Sequence, residues 1–559
     1  MFQRYVSQRD ENVLLNVKKS AKSLYDVCID SLTQHMSLCQ KKCELRQLQD
    51  VDIIDSEFNS SPFEQLSQQI LAEVAEVYNE RYFESKTVFM QMLMLTPHCQ
   101  TLSMENYKGK HVISLLKFAS VRCPELQLLR FWNNYDIPMK DLLPSISKFT
   151  KLQVLHIVSS PIELDSLFNT LGANCPDLRA LQLSAQVMRG CCGKMVSEDG
   201  IQGLCVVGKC KLIHTLVFDD IEVTEEVIAI ALENLPVLKV FPHRLTVRVL
   251  ANLHRKALGK KLSIPTFSLS SIDLYRHDDY ATAEDCVLAL AVCPFITKVT
   301  VRYYDRRLTD DDFQVLHYFK NLRNLQMYTR DYTNDYTSGL APLLKTVGNS
   351  LIFLKLKGFH KLDVCDIIEY CPNLRSLSLV DNLDYGRITI LDTHRAKKNI
   401  VLKNLEMLHF SDLSHVSRDS MLPESLSLLL SSPSLRYIDM YRCIAVTDEA
   451  LLKAANLHLF PNLEQIQLLR CDRVSRKGFE AMIQKCQSLR EFGFFDYFNV
   501  GYFRGWRKTF VKRNWQTDFS VDDFLGIFFD YHGNPIVINQ PIDFNEYHKQ
   551  MVNLASLRS

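Results

Sequence analysis

The chain has 559 residues, 65 Lys+Arg against 64 Asp+Glu, and 47% hydrophobic residues. That apolar content supports a large core and excludes wholesale disorder. A net charge of +1 leaves no general surplus of cations for nucleic-acid backbones, although a local basic patch remains open.

In chain order, the opening MFQRYVSQRDENVLLNVKK holds no uninterrupted apolar core of the kind a secretory signal needs. No run is long and apolar enough to predict a membrane span. The 17 cysteines are spread over the whole chain. They are expected to be reduced, buried thiols of a cytoplasmic or nuclear protein with no membrane partner.

Residues 1–90 form a predicted helical segment. SLYDVCIDSL, Ser23 to Leu32, opens a helix in which Leu24, Cys28 and Leu32 fall at i, i+4 and i+8 as one narrow stripe. The small cysteine lets a partner approach between the two leucines. The decapeptide resembles the BC box, the elongin C-binding helix of cullin-RING substrate receptors, whose pattern is Ser/Thr/Pro-Leu-x-x-x-Cys-x-x-x-aliphatic. Ser23, Leu24, Cys28 and Leu32 fill its defined places. The other reading of the stripe is that it packs against the first repeat of the region that follows.

A second predicted helix, from Pro62, carries Phe63, Leu66, Ile70 and Val74 on one side. A cullin box often begins with Leu-Pro before such a helix, and here Ser61 stands in the leucine's place. Pro62, Leu66 and Ile70 join the expected adaptor-binding set. The order of box and then repeats is similar to the Zyg/Zer class of receptors, which carries a further helical region after its repeats. An F-box using a Skp-type adaptor ranks second, because no tryptophan follows the proline-led helix until Trp132.

From residue 91 to 495 one phrase recurs. Cys-Pro-x-Leu-x-x-Leu-x-Leu stands as CPDLRALQL from Cys175 and CPNLRSLSL from Cys371, with looser copies from Cys123, Cys293 and Cys486. The first apolar anchors, Leu126 through Leu489, recur about every 28 residues, a leucine-rich-repeat period. The copy at Leu238, LKVFPH, is poor. The last two apolar residues of each phrase alternate as a short strand does, and most phrases follow an amphipathic stretch that the proline stops. One unit cannot bury its own apolar face, so units must stack.

The expected fold is α/β. It is a leucine-rich-repeat solenoid (horseshoe) of about 14–15 repeats, with the N-terminal α-helical segment (1–90) and a C-terminal cap (496–559). The corner cysteines resemble those of the cysteine-containing leucine-rich-repeat subfamily seen in F-box receptors and relatives. They read as small buried fillers rather than metal ligands, and no zinc-finger spacing accompanies Cys191-Cys192 or Cys205 and Cys210.

Positions between the alternating leucines face outward. Trp132, Tyr275, Tyr328, Tyr441 and Phe495 are candidate aromatic anchors for a protein substrate, and Arg302, Lys355 and Lys357 give the face a basic middle. HRKALGKKL, His254 to Leu262, reads as a solvated basic insertion. The aromatic and basic stretch Gly501–Trp515 reads as part of the cap rather than a nucleic-acid patch.

No phosphate-binding loop, nucleophile elbow or His-Glu-x-x-His helix occurs. Asp219-Asp220 and Asp310–Asp312 read as helix-start acids. The sequence therefore predicts no catalysis, cofactor or metal. It predicts a receptor with elongin C/elongin B and a cullin, or a Skp-type adaptor, as partners. The rival is a leucine-rich scaffold or inhibitor with no ligase link.

Overall fold

A computed structural model describes residues 95–104 and, with short gaps, 109–495, together with Ser31, Gln34, Ile70 and the antiparallel strand pair Ile527–Phe529 and Pro535–Val537. The larger gaps are 186–194, 381–400 and 412–420. The chain divides into two compact units, Met1–Ile213 with Asp219–Glu222, and His214–Phe218 with Val223–Ser559.

In the first unit, strands β1 (Thr101–Met104), β2 (Leu128–Asn133), β3 (Val154–Ser159) and β4 (Ala180–Ala185) pair in parallel, each with its neighbour in sequence. Helices α1 (Gly109–Arg122), α2 (Met139–Ile146) and α3 (Leu164–Asn174) fill the intervals, and α4 (Glu198–Cys205) packs on α3. The anchor pattern starts at Leu126, yet β1 forms one repeat earlier. Leu102 and Met104 are in register with Leu129 and Phe131, and all four are buried.

The second unit begins with a defect and continues as a regular array. At the poor Leu238 copy, single parallel bridges from Val240 to Thr215 and to Ser271 replace a strand. Leu238 and Phe241 still bury their side chains. Pro242 follows at once, and its fixed φ and missing N–H suit a turn better than a ladder. Nine parallel strands then pair in sequence order: β5 (Ser271–Tyr275), β6 (Lys298–Tyr303), β7 (Asn324–Thr329), β8 (Phe353–Lys357), β9 (Ser376–Val380), β10 (Met407–Ser411), β11 (Tyr437–Tyr441), β12 (Gln465–Leu469) and β13 (Glu491–Phe495). Each unit is thus an α/β leucine-rich-repeat array, since a strand that pairs only with its sequence neighbours can be built only by stacking.

The corner between helix and strand explains the cysteines. The anchor N–H donates back to the corner carbonyl at 3.2 Å in Leu126→Cys123, Leu178→Cys175, Leu322→Phe319, Leu374→Cys371 and Leu463→Phe460. Cysteine and phenylalanine alternate in one fully covered place, so that place requires apolar volume rather than a thiol. Burial pushes the thiols of Cys175, Cys293 and Cys371 up to about 12, which leaves them inert as thiolates.

A second repeat feature lies one residue before the anchor. There a polar side chain donates to a carbonyl of the preceding repeat: Ser350 Oγ to Leu322 at 2.6 Å, Asn373 Nδ2 to Asn349 at 2.8 Å, Ser434 Oγ to Lys403 at 2.6 Å and Asn462 Nδ2 to Pro433 at 3.3 Å. These bonds tie successive repeats at the end of the ladder where the corner leaves carbonyls without a strand partner.

Two expectations need correction. The basic stretch from His254 is mostly not a solvated insertion, because residues through Gly259 complete helix α5 (Thr246–Gly259). Val247, Leu250, Leu253, His254 and Ala257 are buried at i, i+3, i+6, i+7 and i+10, while Arg255 and Lys256 are exposed. Asp219 does not start a helix either. Its carboxylate accepts from Ser184 Oγ at 2.9 Å and Gln182 Nε2 at 3.3 Å, while Thr224 caps the helix Glu225–Asn234.

His243, at the turn into α5, is 9% exposed, and Nδ1 accepts from the Leu245 N–H at 3.3 Å. Burial, aided by the Arg244 charge, lowers its pKa to about 4. Between that value and the free value near 6.5 the unfolded chain binds the extra proton, so stability is full above pH 6.5 and declines as pH falls toward 4. The loss expected from this one group is about 3 kcal/mol. Urea midpoints of wild type and His243→Leu across pH 7.5 to 4 should converge as the pH falls. Parallel curves would show that His243 titrates freely.

Candidate partner-binding face

The strand ladders place the outward residues of the second unit in two adjacent rows. Asp273, Thr300, Gln326, Lys355, Ser378, His409, Asp439 and Gln467 stand in mutual register from β5 to β12. Two residues further along each strand, Tyr275, Arg302, Tyr328 and Lys357 form the beginning of the second row, with Tyr441 and Phe495 at its far end. The spacing between rows follows from the period-2 alternation, and the spacing along each row from the roughly 4.8 Å strand separation.

The centre of this face is a cationic cluster built on an aromatic ring. The Arg302 guanidinium carbon lies 5.2 Å from the Tyr328 ring centroid, and Lys355 Nζ lies 5.5 Å from it. The Tyr328 hydroxyl donates to Gln326 Oε1 at 2.9 Å, and Gln326 Nε2 donates to Asn324 Oδ1 at 3.3 Å. Arg302 Nε also sits 3.5 Å from Asp273 Oδ2. Asp273 is 4% exposed. Desolvation raises its pKa, opposed by Arg302 and Lys298. Farther along, His409 Nδ1 and Asp439 Oδ2 are 2.8 Å apart, and the Arg442 guanidinium lies 5.5 Å from the Tyr441 ring.

The expected anchors fare differently. Lys355, Lys357 and Tyr441 are half-buried, and the Arg302 side chain is 15% exposed. Tyr328 is the departure: expected as an exposed anchor, it is 5% exposed, because cations from the flanking strands lie over its ring. It acts as a platform that holds charges at the surface. The backbones of Trp132, Tyr275 and Phe495 are in register with Val158, Arg302 and Leu469.

In the expected adaptor set, Ile70 is helical and half-buried, and Ser23, Leu24, Cys28, Leu32, Pro62 and Leu66 lie outside the described residues, as do Cys191-Cys192 and Gly501–Trp515. Among the described residues no group of His, Cys, Asp and Glu is arranged to hold a metal ion, and no helix is long and apolar enough to cross a membrane.

Sequence reading overlooked the buried outward polar residues. Thr300, Ser378 and Gln467 are 2%, 6% and 6% exposed. They alternate with the inward apolar residues, and each has register partners on the neighbouring strands, 23 to 31 residues away in sequence, which no local pattern reports.

No family model matches the chain, and no curated protein matches it. Among solved structures it is similar to the Rad7 and Elc1 complex of yeast, with TM-score 0.34 and 14% identity over 87% of this chain and 90% of that one. It is similar also to the TLR13–ssRNA13 complex, with TM-score 0.28 and 14% identity over 70% and 60%. Both scores fall below the level at which a shared fold is established, so the repeat architecture stands on its own strand ladders.

Proposed function

We propose that this chain is a non-catalytic substrate-recognition subunit of a cullin-RING E3 ubiquitin ligase, working in the cytoplasm or nucleus. The observation that carries the reading is the decapeptide Ser23–Leu32, in which Ser23, Leu24, Cys28 and Leu32 fill the defined places of an elongin C-binding box. A leucine-rich-repeat array follows it, with two adjacent rows of polar, cationic and aromatic residues at its outward positions. Leu24, Cys28 and Leu32 enter the adaptor as a helix in a groove, with Pro62, Leu66 and Ile70 extending the contact toward a cullin. The outward face holds a protein substrate. The receptor performs no bond chemistry; it raises the effective concentration of substrate lysines near the ligase.

The test is capture of the full chain by purified elongin B–elongin C, with a Skp-type adaptor alongside. Wild type is expected to bind elongin. Leu24→Ser with Cys28→Phe is expected to weaken capture by about 100-fold or more, since it places a hydroxyl in an apolar pocket and a ring where close approach is needed. An unchanged circular dichroism melt would localise the defect to the contact. Capture by the Skp-type adaptor alone would convert the reading to an F-box-type receptor. Capture by neither would leave a leucine-rich scaffold.

A further inference from the structure

The C-terminal end of α5 breaks with the buried stripe that precedes it. Every residue from Leu258 to Ile264 is exposed, and Leu258, Leu262 and Ile264 are each at least 43% exposed. A Cβ added to Gly259 would meet nothing within 4 Å, so the turn projects into open solvent. Its backbone is nonetheless fixed. The Lys261 N–H donates to the Leu258 carbonyl at 3.0 Å and the Leu262 N–H to the Ala257 carbonyl at 2.9 Å, the pair of bonds that closes a helix C-terminus. That closure requires a left-handed residue, and Lys261 supplies it with φ of 54°, where glycine would be least strained.

The chain beyond this turn is tied to the corners of two repeats. The Phe267 N–H donates to the Val292 carbonyl at 2.8 Å, and Ser268 Oγ donates to the Pro236 carbonyl at 2.9 Å. The first bond brings the segment to the Cys293 corner, and Phe295, two residues past that corner, is 59% exposed. Between Thr246 and Ile264 the sequence carries five cations and no acid. Arg248 is neutralised by Glu225, and Arg255 by Asp285 at 2.8 Å and Glu284 at 3.6 Å. Lys256, Lys260 and Lys261 are exposed and make no ion pair among the described residues. Lysines at a helix C-terminus complement its dipole, but that gives no reason for the leucines left in water between them.

We propose that the turn Lys256–Ile264, together with Phe295, is a peripheral contact for an anionic lipid surface. Leu258, Leu262 and Phe295 enter the boundary between headgroups and acyl chains, and Lys256, Lys260 and Lys261 stay at the level of the anionic headgroups. The absence of a signal or an apolar span speaks to crossing a membrane, whereas this contact only rests on one.

Shape and charge together favour lipid over a protein segment. A helical or extended peptide is held by a groove that covers it on both sides. Here the apolar tips project from a turn with open space around Gly259, as a wedge does. The three lysines alternate with those tips along the same short stretch, so an occupant must offer negative charge and apolar depth at every point of contact. An anionic bilayer surface does so without any sequence match. With three lysines and a few apolar side chains the contact is reversible, and salt weakens it by screening.

The proposal is independent of the ligase reading. The test is co-sedimentation of the full chain with vesicles of phosphatidylcholine and phosphatidylserine, beside vesicles of phosphatidylcholine alone. Wild type is expected to partition at least about ten-fold more strongly onto the anionic vesicles, and added salt should reduce the difference. Lys256→Gln, Lys260→Gln and Lys261→Gly together should remove that preference; glycine at 261 deletes the charge without straining the turn. Leu262→Ser with Phe295→Ser, which leaves the lysines in place, should weaken binding about ten-fold, a loss that a purely electrostatic contact would not show. Both sets lie at exposed positions and should leave melting unchanged. The proposal is overturned if wild type shows no preference for phosphatidylserine, or if both variants bind as wild type does, which would assign the contact to another segment such as Gly501–Trp515. It is overturned also if the chain ignores vesicles but binds a soluble peptide of alternating glutamate and leucine, which would make the occupant an acidic protein segment. Should a variant fail to fold, acetylation mapping of the wild type decides: anionic vesicles should shield Lys256, Lys260 and Lys261, and unchanged labelling of all three refutes the contact.

Discussion

Replacing Gly358 with valine should destabilise the second unit by about 3–4 kcal/mol, among the larger effects of a single change in this chain. Gly358 follows Lys357 at the end of β8 with φ of 81°, a left-handed conformation that a β-branched residue resists. A Cβ there would stand 2.2 Å from the Thr329 carbonyl oxygen and 2.9 Å from its Cγ2. Thr329 is the last residue of the neighbouring β7, so its backbone cannot move away without breaking the ladder. Two causes act together, and asparagine separates them. It tolerates positive φ but carries the same Cβ, so Gly358→Asn should retain most of the loss. If asparagine is nearly neutral in urea denaturation, the close approach to Thr329 is not a constraint. The position also links fold to face, because the turn at Gly358 ends the strand that presents Lys355 and Lys357.

How far the sequence reported this structure depends on how local each determinant is. The anchors were legible because Leu-x-x-Leu-x-Leu repeats in register with a strand, and those described, from Leu126 to Leu463, are buried with at most 2% exposure. The first strand was not, because Cys99 stands where the pattern seeks a leucine. Helix α5 was misread from His254 because Arg255, Lys256, Lys260 and Lys261 dominate the composition there, and the apolar spacing shows only when Val247 and Leu250 are counted with it. The outward rows could be named by alternation alone. Their chemistry could not, since the Tyr328 platform joins side chains of β6, β7 and β8 that are distant in sequence. The serine and asparagine residues before the anchors were visible as letters, but only the cross-repeat bonds gave them a role.

The same cluster yields the second large effect. Arg302→Leu should cost about 3 kcal/mol at pH 8 and markedly less at pH 4.5, because its main consequence is an uncompensated Asp273 charge. Asp273 is buried, and its folded pKa already lies above the ordinary carboxylate value through desolvation, with Arg302 opposing that rise. A raised folded pKa means the native state binds the proton more tightly. Its stabilising effect is complete below the unfolded pKa and is lost as pH rises through the folded one. Removing Arg302 moves that folded pKa higher still, so the variant loses more than wild type on the alkaline side and recovers in acid. Loss of the stack on Tyr328 adds about 0.5–1 kcal/mol that does not depend on pH in this range. Asp273→Asn removes the titrating charge, so the double variant should regain most of the pH-dependent loss while keeping the stacking loss. Urea denaturation of all four proteins at pH 4.5 and 8 completes the cycle. If Arg302→Leu costs the same at both pH values, Asp273 is not the group that Arg302 neutralises, and the arginine's place on the face rests on the tyrosine ring alone.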